Sequence, residues 1–230
     1  MARAISKAGL CSRSEAATRV RAGRVAVNGC VVLDPEFPTR QSDAILLDGA
    51  PLQRVARIVI ALNKPRGLVT TTHDERGRDT VYRCLEGAGF GWLAPVGRLD
   101  KASEGLLLFT NDPAFAAAIT NPASGPDKTY HVQIATLADE TLLMRLREGV
   151  HLEDGERLSV KSVRHLREGE RNAWLEIVLD EGRNRHIRRL LEAFGMDVLR
   201  LVRVAIGEVM LGELPKGAWR ELSKAEIAAL

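Results

Sequence analysis

Gly97-Arg98-Leu99-Asp100-Lys101-Ala102-Ser103-Glu104-Gly105-Leu106-Leu107-Leu108-Phe109-Thr110-Asn111-Asp112 is the stretch that organises this 230-residue chain. It sets an acidic residue in a glycine-flanked loop, directly before a run apolar enough to be a buried strand. A carboxylate at the edge of a core, with cationic side chains beside it, is a usual way to prepare a nucleophile or a base. Asp100 is therefore the candidate catalytic residue. By frequency alone an aspartate in a loop is a cap or turn residue, so the neighbouring segments have to decide.

Directly after this stretch, Asp112-Pro113 signals a helix start, with aspartate as N-cap and proline at the first helical position, and Ala114 to Ile119 is the short helix expected. Before it, Ile58 to Leu62 is a short apolar run typical of a buried strand, ended by Asn63-Lys64-Pro65-Arg66-Gly67. The polar segment 70–80, with Arg76-Gly77-Arg78, is expected as a loop. Further on, Lys128 to Ile134 alternates as a strand, with Tyr130, Val132 and Ile134 on one face. Asp139 to Arg147 is expected as an amphipathic helix closed by Gly149. A turn at Asp154-Gly155, a strand from Leu158 to Leu166 and a clear strand from Ala173 to Leu179 follow. Strands and helices mix without regular alternation. The expected fold class is α+β, a largely antiparallel sheet with flanking helices over 58–230.

The opening 49 residues read as a separate small α/β module, with 50–57 as linker. Ala4 to Leu10 has helical composition, and Ser12-Arg13-Ser14-Glu15 fits the capping-box pattern for a second helix ending near Gly23. Val25 to Val27 and Cys30 to Val32 flank Asn28-Gly29, a strong hairpin signal, and Ile45 to Gly49 reads as a third strand and its exit turn. Arg3, Lys7, Arg13, Arg19, Arg21 and Arg24 concentrate here. On charge alone such residues are as readily a solvated face as a nucleic-acid grip. Lys7 to Ala16 followed by Arg21 to Gly29 resembles the small RNA-binding domain named after ribosomal protein S-four. That resemblance implies that Lys7, Arg13, Arg21 and Arg24 contact structured RNA through shape and phosphates.

Asp180 to Gly195 is the second basic segment. Asn184 can cap a helix and Gly195 can end it. Ile187, Leu190, Leu191 and Phe194 recur at core-facing spacing. Arg185 and Arg189 then lie opposite that stripe, toward solvent or RNA, and with Arg183 they are suited to phosphates. Arg188 falls on the flank, where its stem can lie along the core and its guanidinium can reach a half-buried carboxylate such as Asp100. A weak surface pair with Glu192 is the alternative. His186 reads as a structural histidine.

Composition narrows the function classes. The net charge of +3 is slight, so a polyanionic partner requires uneven charge, and aromatic residues, at 4 %, are too few for a surface built on base stacking. The three cysteines, Cys11, Cys30 and Cys84, form no Cys-x-x-Cys pair, so neither a zinc site nor a disulfide framework is indicated. No secretory signal or membrane-length apolar run is visible, and a cytoplasmic protein is expected, with a monomer as the default.

Lys64-Pro65-x-Gly67, Gly97-Arg98-Leu99-Asp100, Lys128-Thr129-Tyr130 and Arg185-x-Ile187-Arg188-Arg189-Leu190, in this order, resemble the RsuA-type ribosomal-RNA pseudouridine synthases over nearly the whole chain. The resemblance implies that Asp100 is the catalytic aspartate, that Tyr130 packs on the target base and that Arg188 pairs with Asp100. It also implies ribosomal RNA as partner, no metal or other cofactor, and isomerisation of a flipped-out uridine. Arg98, next to the Asp100 loop, is placed to hold or replace that nucleotide, with a structural role as the equal alternative. Lys64, Arg183, Arg185 and Arg189 are the remaining expected RNA contacts. The helix opening at Met1-Ala2-Arg3-Ala4 has a sparser basic start than is usual in the family. Two rival readings use the same residues: a ribosome-associated RNA-binding factor without chemistry, and a glycoside hydrolase with Asp100 and Glu104 as its carboxylates. The basic modules argue against a neutral sugar.

Overall fold

Ser12 opens the first well-capped helix of the chain, its Oγ accepting a hydrogen bond from the Glu15 amide at 3.1 Å. The reciprocal half of the capping box is missing, because Glu15 turns outward to pair with Arg19. The computed structural model describes residues 1–72 and 74–230; His73, inside the expected loop, lies outside the described residues. Helices α1 (Ala2–Lys7) and α2 (Arg13–Arg21) precede a hairpin of β1 (Val25–Val27) and β2 (Cys30–Val31). Asn28 and Gly29 join those strands with φ of 50° and 85°, the left-handed values such a turn requires. Strand β3 (Ile45–Leu47) then turns at Asp48-Gly49 into β4 (Ala50–Pro51). Residues 50 and 51, expected as linker, are therefore part of a sheet of order β2-β1-β3-β4. Ile5, Ala16, Val20, Val25 and Val27 form its core.

The second sheet begins at β5 (Val59–Lys64), followed by a 3-10 turn (Val81–Leu85), β6 (Ala94–Val96) and β7 (Glu104–Thr110). Next come α3 (Pro113–Thr120), β8 (Lys128–Ile134), α4 (Glu140–Glu148), β9 (Val150–His151) and β10 (Arg157–Leu158). The chain continues through β11 (Ser162–Glu168), β12 (Ala173–Leu179), α5 (His186–Ala193), β13 (Val198–Ile206), β14 (Val209–Met210), β15 (Trp219–Glu221) and α6 (Lys224–Ala228). The nine-stranded order is β11-β12-β8-β13-β7-β5-β15, with β14 on β13 and β6 on β7. The fold is the expected α+β class, and β13 with β7 is the one parallel pair among the named strands of this sheet.

The sequence patterns have direct structural causes. Strands β5 and β7 are covered on both faces, by one core containing Ile60, Leu62, Leu107 and Phe109 and by another containing Val59, Ala61, Leu106 and Leu108. Both therefore read as continuous apolar runs. Strands β8 and β12 are covered on one face and alternate. Gly105 sits where β13 approaches β7: its φ is +101°, and a Cβ there would meet the Arg203 carbonyl oxygen at 2.3 Å.

Two local expectations are corrected. The strand expected from Leu158 to Leu166 is broken, because β10 ends at Leu158 and β11 starts at Ser162. Helix α5 is not capped by Asn184; its N-cap is Arg185, in the left-handed conformation with φ of 51°. At the junction of the two units, Asn111 accepts from the Ile58 amide and donates to the Ala56 carbonyl, both at 2.9 Å. Asp112 caps α3 and pairs with Arg57 at 2.7 Å.

A candidate active site around Asp100

The loop between β6 and β7 is held by its backbone. Every carbonyl from Leu99 to Ser103 has a donor: Thr70 Oγ1 on Leu99, the Ser103 amide and Lys64 Nζ on Asp100, the Gly67 amide on Lys101, Arg188 Nη2 on Ala102 and Lys64 Nζ on Ser103. The Asp100 carboxylate is left free of this scaffold, with 36 % of the side chain exposed. A loop without slack that presents a carboxylate is how a reacting group is held in geometry.

Lys64 is the unexpected member of this scaffold. Expected to touch RNA, it is fully buried, and its ammonium donates to the Pro65, Asp100 and Ser103 carbonyls at 3.2, 3.1 and 2.8 Å. The reason is position: Lys64 ends β5 beneath the loop, covered on both sides. Burial lowers its pKa to about 8, while the nearby Asp100 charge acts in the opposite direction.

The partner of Asp100 also differs from expectation. Arg185 Nη1 lies 3.8 Å from Asp100 Oδ2. Arg188 instead reaches the backbone on either side, bonding Ala102 at 3.2 Å and Val198 at 3.4 Å, with its Nε buried and unpartnered. Burial, and then the neighbouring Arg185, depress its pKa, while Asp100 raises it. A helical wheel could not give this arrangement, because Arg185 is the left-handed residue ahead of the helix and lies off the wheel.

A cavity of about 300 Å³ opens beside Asp100, lined by Arg98, Tyr130, Lys128, Arg185 and Arg203, among others. Tyr130, buried on β8, is registered between Ile177 of β12 and Arg203 of β13. Arg98 is exposed and has no ion pair among the described residues. A groove of about 470 Å³ adjoins, with Arg76, Arg78 and Arg98 among its lining residues. Arg78 is already clamped by Asp74.

Several expected phosphate ligands are engaged elsewhere. Arg183 pairs with Glu181 at 2.7 Å and Glu156 at 3.1 Å, and Arg189 pairs with Glu156 at 2.6 Å and Asp154 at 3.1 Å. The outward face of α5 meets the acidic turn between β9 and β10. In the first unit Arg13 is paired with Glu36 and Arg24 with Asp48, whereas Lys7 and Arg21 are exposed and unpaired among the described residues. His186 is buried, with Nε2 2.8 Å from the Ser159 carbonyl, and burial lowers its pKa. Glu104 is buried on β7 away from any acid role. Burial raises its pKa, but hydrogen bonds from Arg200 and Lys216 outweigh that and keep it ionised. Among the described residues no cluster of three metal-binding side chains occurs.

Four site residues went unassigned in the sequence. Lys128 could have been found, since strand alternation puts it on the face of Tyr130. Arg203 follows from the same alternation in β13. Thr70 and Ser103 carry no local signal.

Residues 58–193 match the family model described as RNA pseudouridylate synthase, and residues 3–45 match the S4 domain. An uncharacterized RNA pseudouridine synthase of Aquifex aeolicus is 37 % identical, over 98 % of this chain and 91 % of its own. Ribosomal large subunit pseudouridine synthase B of Bacillus subtilis is 34 % identical, over 98 % and 93 %. A crystal structure of a pseudouridylate synthase superposes with a TM-score of 0.70 at 29 % identity, covering 99 % of this chain and 97 % of that one. With its Asp100 loop, its mixed sheet and its basic N-terminal module, the chain belongs to the RNA pseudouridine synthase family and carries an N-terminal S4 domain.

Proposed function

We propose that the protein isomerises one uridine of large-subunit ribosomal RNA to pseudouridine, with Asp100 as the catalytic carboxylate. The observation that carries this reading is the carboxylate itself, set at a cavity beside Arg185 while every carbonyl from Leu99 to Ser103 is bonded. The relatives named ribosomal large subunit pseudouridine synthase B support that substrate.

In this reaction the bond from uracil N1 to ribose C1′ breaks, the base turns, and C5 joins C1′. C5 loses its proton and N1 gains one, so the product is an isomer and no redox partner is required. Asp100 acts through its carboxylate, on the base or on the sugar carbon, with Arg185 and Arg188 as its cationic neighbours. The nucleotide must leave its stack, at about a few kcal/mol, and the Tyr130 ring offers a face to receive the base. Arg98, which lines both cavities and has no ion pair among the described residues, holds the displaced strand. Lys7 and Arg21 of the S4 domain contact phosphates.

A binding factor without chemistry gives no reason for a loop so completely held. The test is incubation of the purified protein with unmodified ribosomal RNA transcripts, followed by pseudouridine mapping. One new pseudouridine in the large-subunit transcript is expected; none in any transcript overturns the reading.

A further inference from the structure

Beside the cavity the fold keeps two largely buried basic side chains that form no ion pair among the described residues. Arg203 is 5 % exposed; its Nε donates to the Leu106 carbonyl at 2.7 Å, and its Nη2 has no hydrogen-bond partner among the described residues. Lys128 is 9 % exposed, and its ammonium makes no hydrogen bond among the described residues. Ser103 is 1 % exposed, and its Oγ also has no hydrogen-bond partner among the described residues. All three residues line the cavity that holds Asp100 and Tyr130. Their placement follows from register: Arg203 stands opposite Tyr130, and Lys128 is two residues from Tyr130 on the same face of β8. Burial depresses the Lys128 pKa, the Arg203 charge depresses it further, and Asp127 and Asp180 act against both.

Unpaired buried charge is costly to a fold. These three donors are satisfied once an electron-rich acceptor sits among them. If Asp100 attacks C1′, the N1–C1′ bond breaks with its electron pair on the base and the negative charge spreads to O2 and O4; if it adds to the base at C6, the charge falls on O4 as the enolate forms and on O2 as N1 leaves C1′. We propose that Lys128 and Arg203, with the Ser103 hydroxyl, bind those two oxygens and take up the charge while the base is detached. This rests on the isomerisation reading and adds to it the groups that stabilise the leaving base. It also accounts for base choice: cytosine carries an amino donor where uracil carries O4, and would set donor against donor.

The test uses the full-length protein and the same ribosomal RNA transcripts, with Lys128→Met, Lys128→Arg, Arg203→Met and Arg203→Lys. At saturating RNA the single-turnover rate of each methionine variant is expected to fall about a hundredfold or more. RNA affinity should stay within about threefold and the slope of log Kd against log salt should not change. Lys128→Arg should recover part of the rate. The Tm of Lys128→Met should equal or exceed that of the wild type, because an unpaired buried charge has been removed. A loss carried by Kd and the salt slope would make these residues a phosphate cradle and overturn the proposal. So would methionine variants within about threefold of the wild-type rate, or a fall in Tm matching the fall in rate without recovery in the charge-retaining variants. A wild-type protein that forms no pseudouridine overturns the functional reading and this inference together. An active wild type with active methionine variants overturns this inference alone.

Discussion

Lys64→Met keeps the volume of a fully buried side chain and removes its charge, together with hydrogen bonds to the Pro65, Asp100 and Ser103 carbonyls. Two stability effects oppose each other. The ammonium's pKa, lowered from 10.5 to about 8, places a penalty on its charged form that methionine lacks, worth about 3 kcal/mol. Against this, the Pro65 and Ser103 carbonyls lose a donor, at about 1–3 kcal/mol each. The net loss of stability should not exceed about 3 kcal/mol. The rate is more exposed, since release of the loop by about 1 Å costs about a hundredfold.

The pH dependence has a definite sign. Between about pH 8 and 10.5 the unfolded chain holds a proton on Lys64 that the fold gives up, so the contribution of this lysine to stability rises with pH through that window. Over the same window the loop loses its ammonium and activity declines. Urea melts and single-turnover rates of both proteins from about pH 7 to about pH 10 measure this. Subtracting the Lys64→Met data removes every other titrating group. The stability difference should move in favour of the wild type with rising pH while the gap in rate narrows. A Lys64→Met rate within about threefold of wild type near neutral pH, or a stability difference flat across the window, would refute the reasoning.

Gly105→Ala should unfold the sheet rather than weaken it slightly, because the added Cβ lies 2.3 Å from the Arg203 carbonyl oxygen at a φ of +101°. A loss of more than about 3 kcal/mol in a denaturant melt is expected, and an unchanged midpoint would contradict the register of β7 on β13. In the S4 domain, Lys7→Ala with Arg21→Ala should reduce the slope of log Kd against log salt by about 1–2. Arg13→Ala, whose guanidinium is already paired with Glu36, should change it less. Equal slopes for all three proteins would exclude Lys7 and Arg21 as phosphate contacts.

The sequence was most informative where structure is decided locally. Asp112-Pro113 caps and starts α3, and Asn28-Gly29 makes its turn, because each depends on a few adjacent residues. Tyr130, Val132 and Ile134 were legible from alternation, and β7 from its apolar run. The electrostatic partners were not legible. Lys64 before a proline reads as a solvent-facing strand end until the loop from Leu99 to Ser103 is folded over it. Arg183 and Arg189 are neutralised by Asp154, Glu156 and Glu181, which the fold brings to them. Arg185 faces Asp100 through a left-handed backbone that helical periodicity does not encode. Arg203 carries no local motif, and its role depends on β13 pairing in parallel with β7 and lining part of the cavity, which only the fold brings about.

The central claim is that Asp100 does the chemistry and the rest of the protein presents RNA to it. Asp100→Asn, measured for RNA affinity and for pseudouridine formation in the same ribosomal RNA transcript, tests it most directly. Affinity within about threefold of wild type with no detectable pseudouridine is the expected result. A variant that still isomerises its uridine would show that another residue is the catalyst.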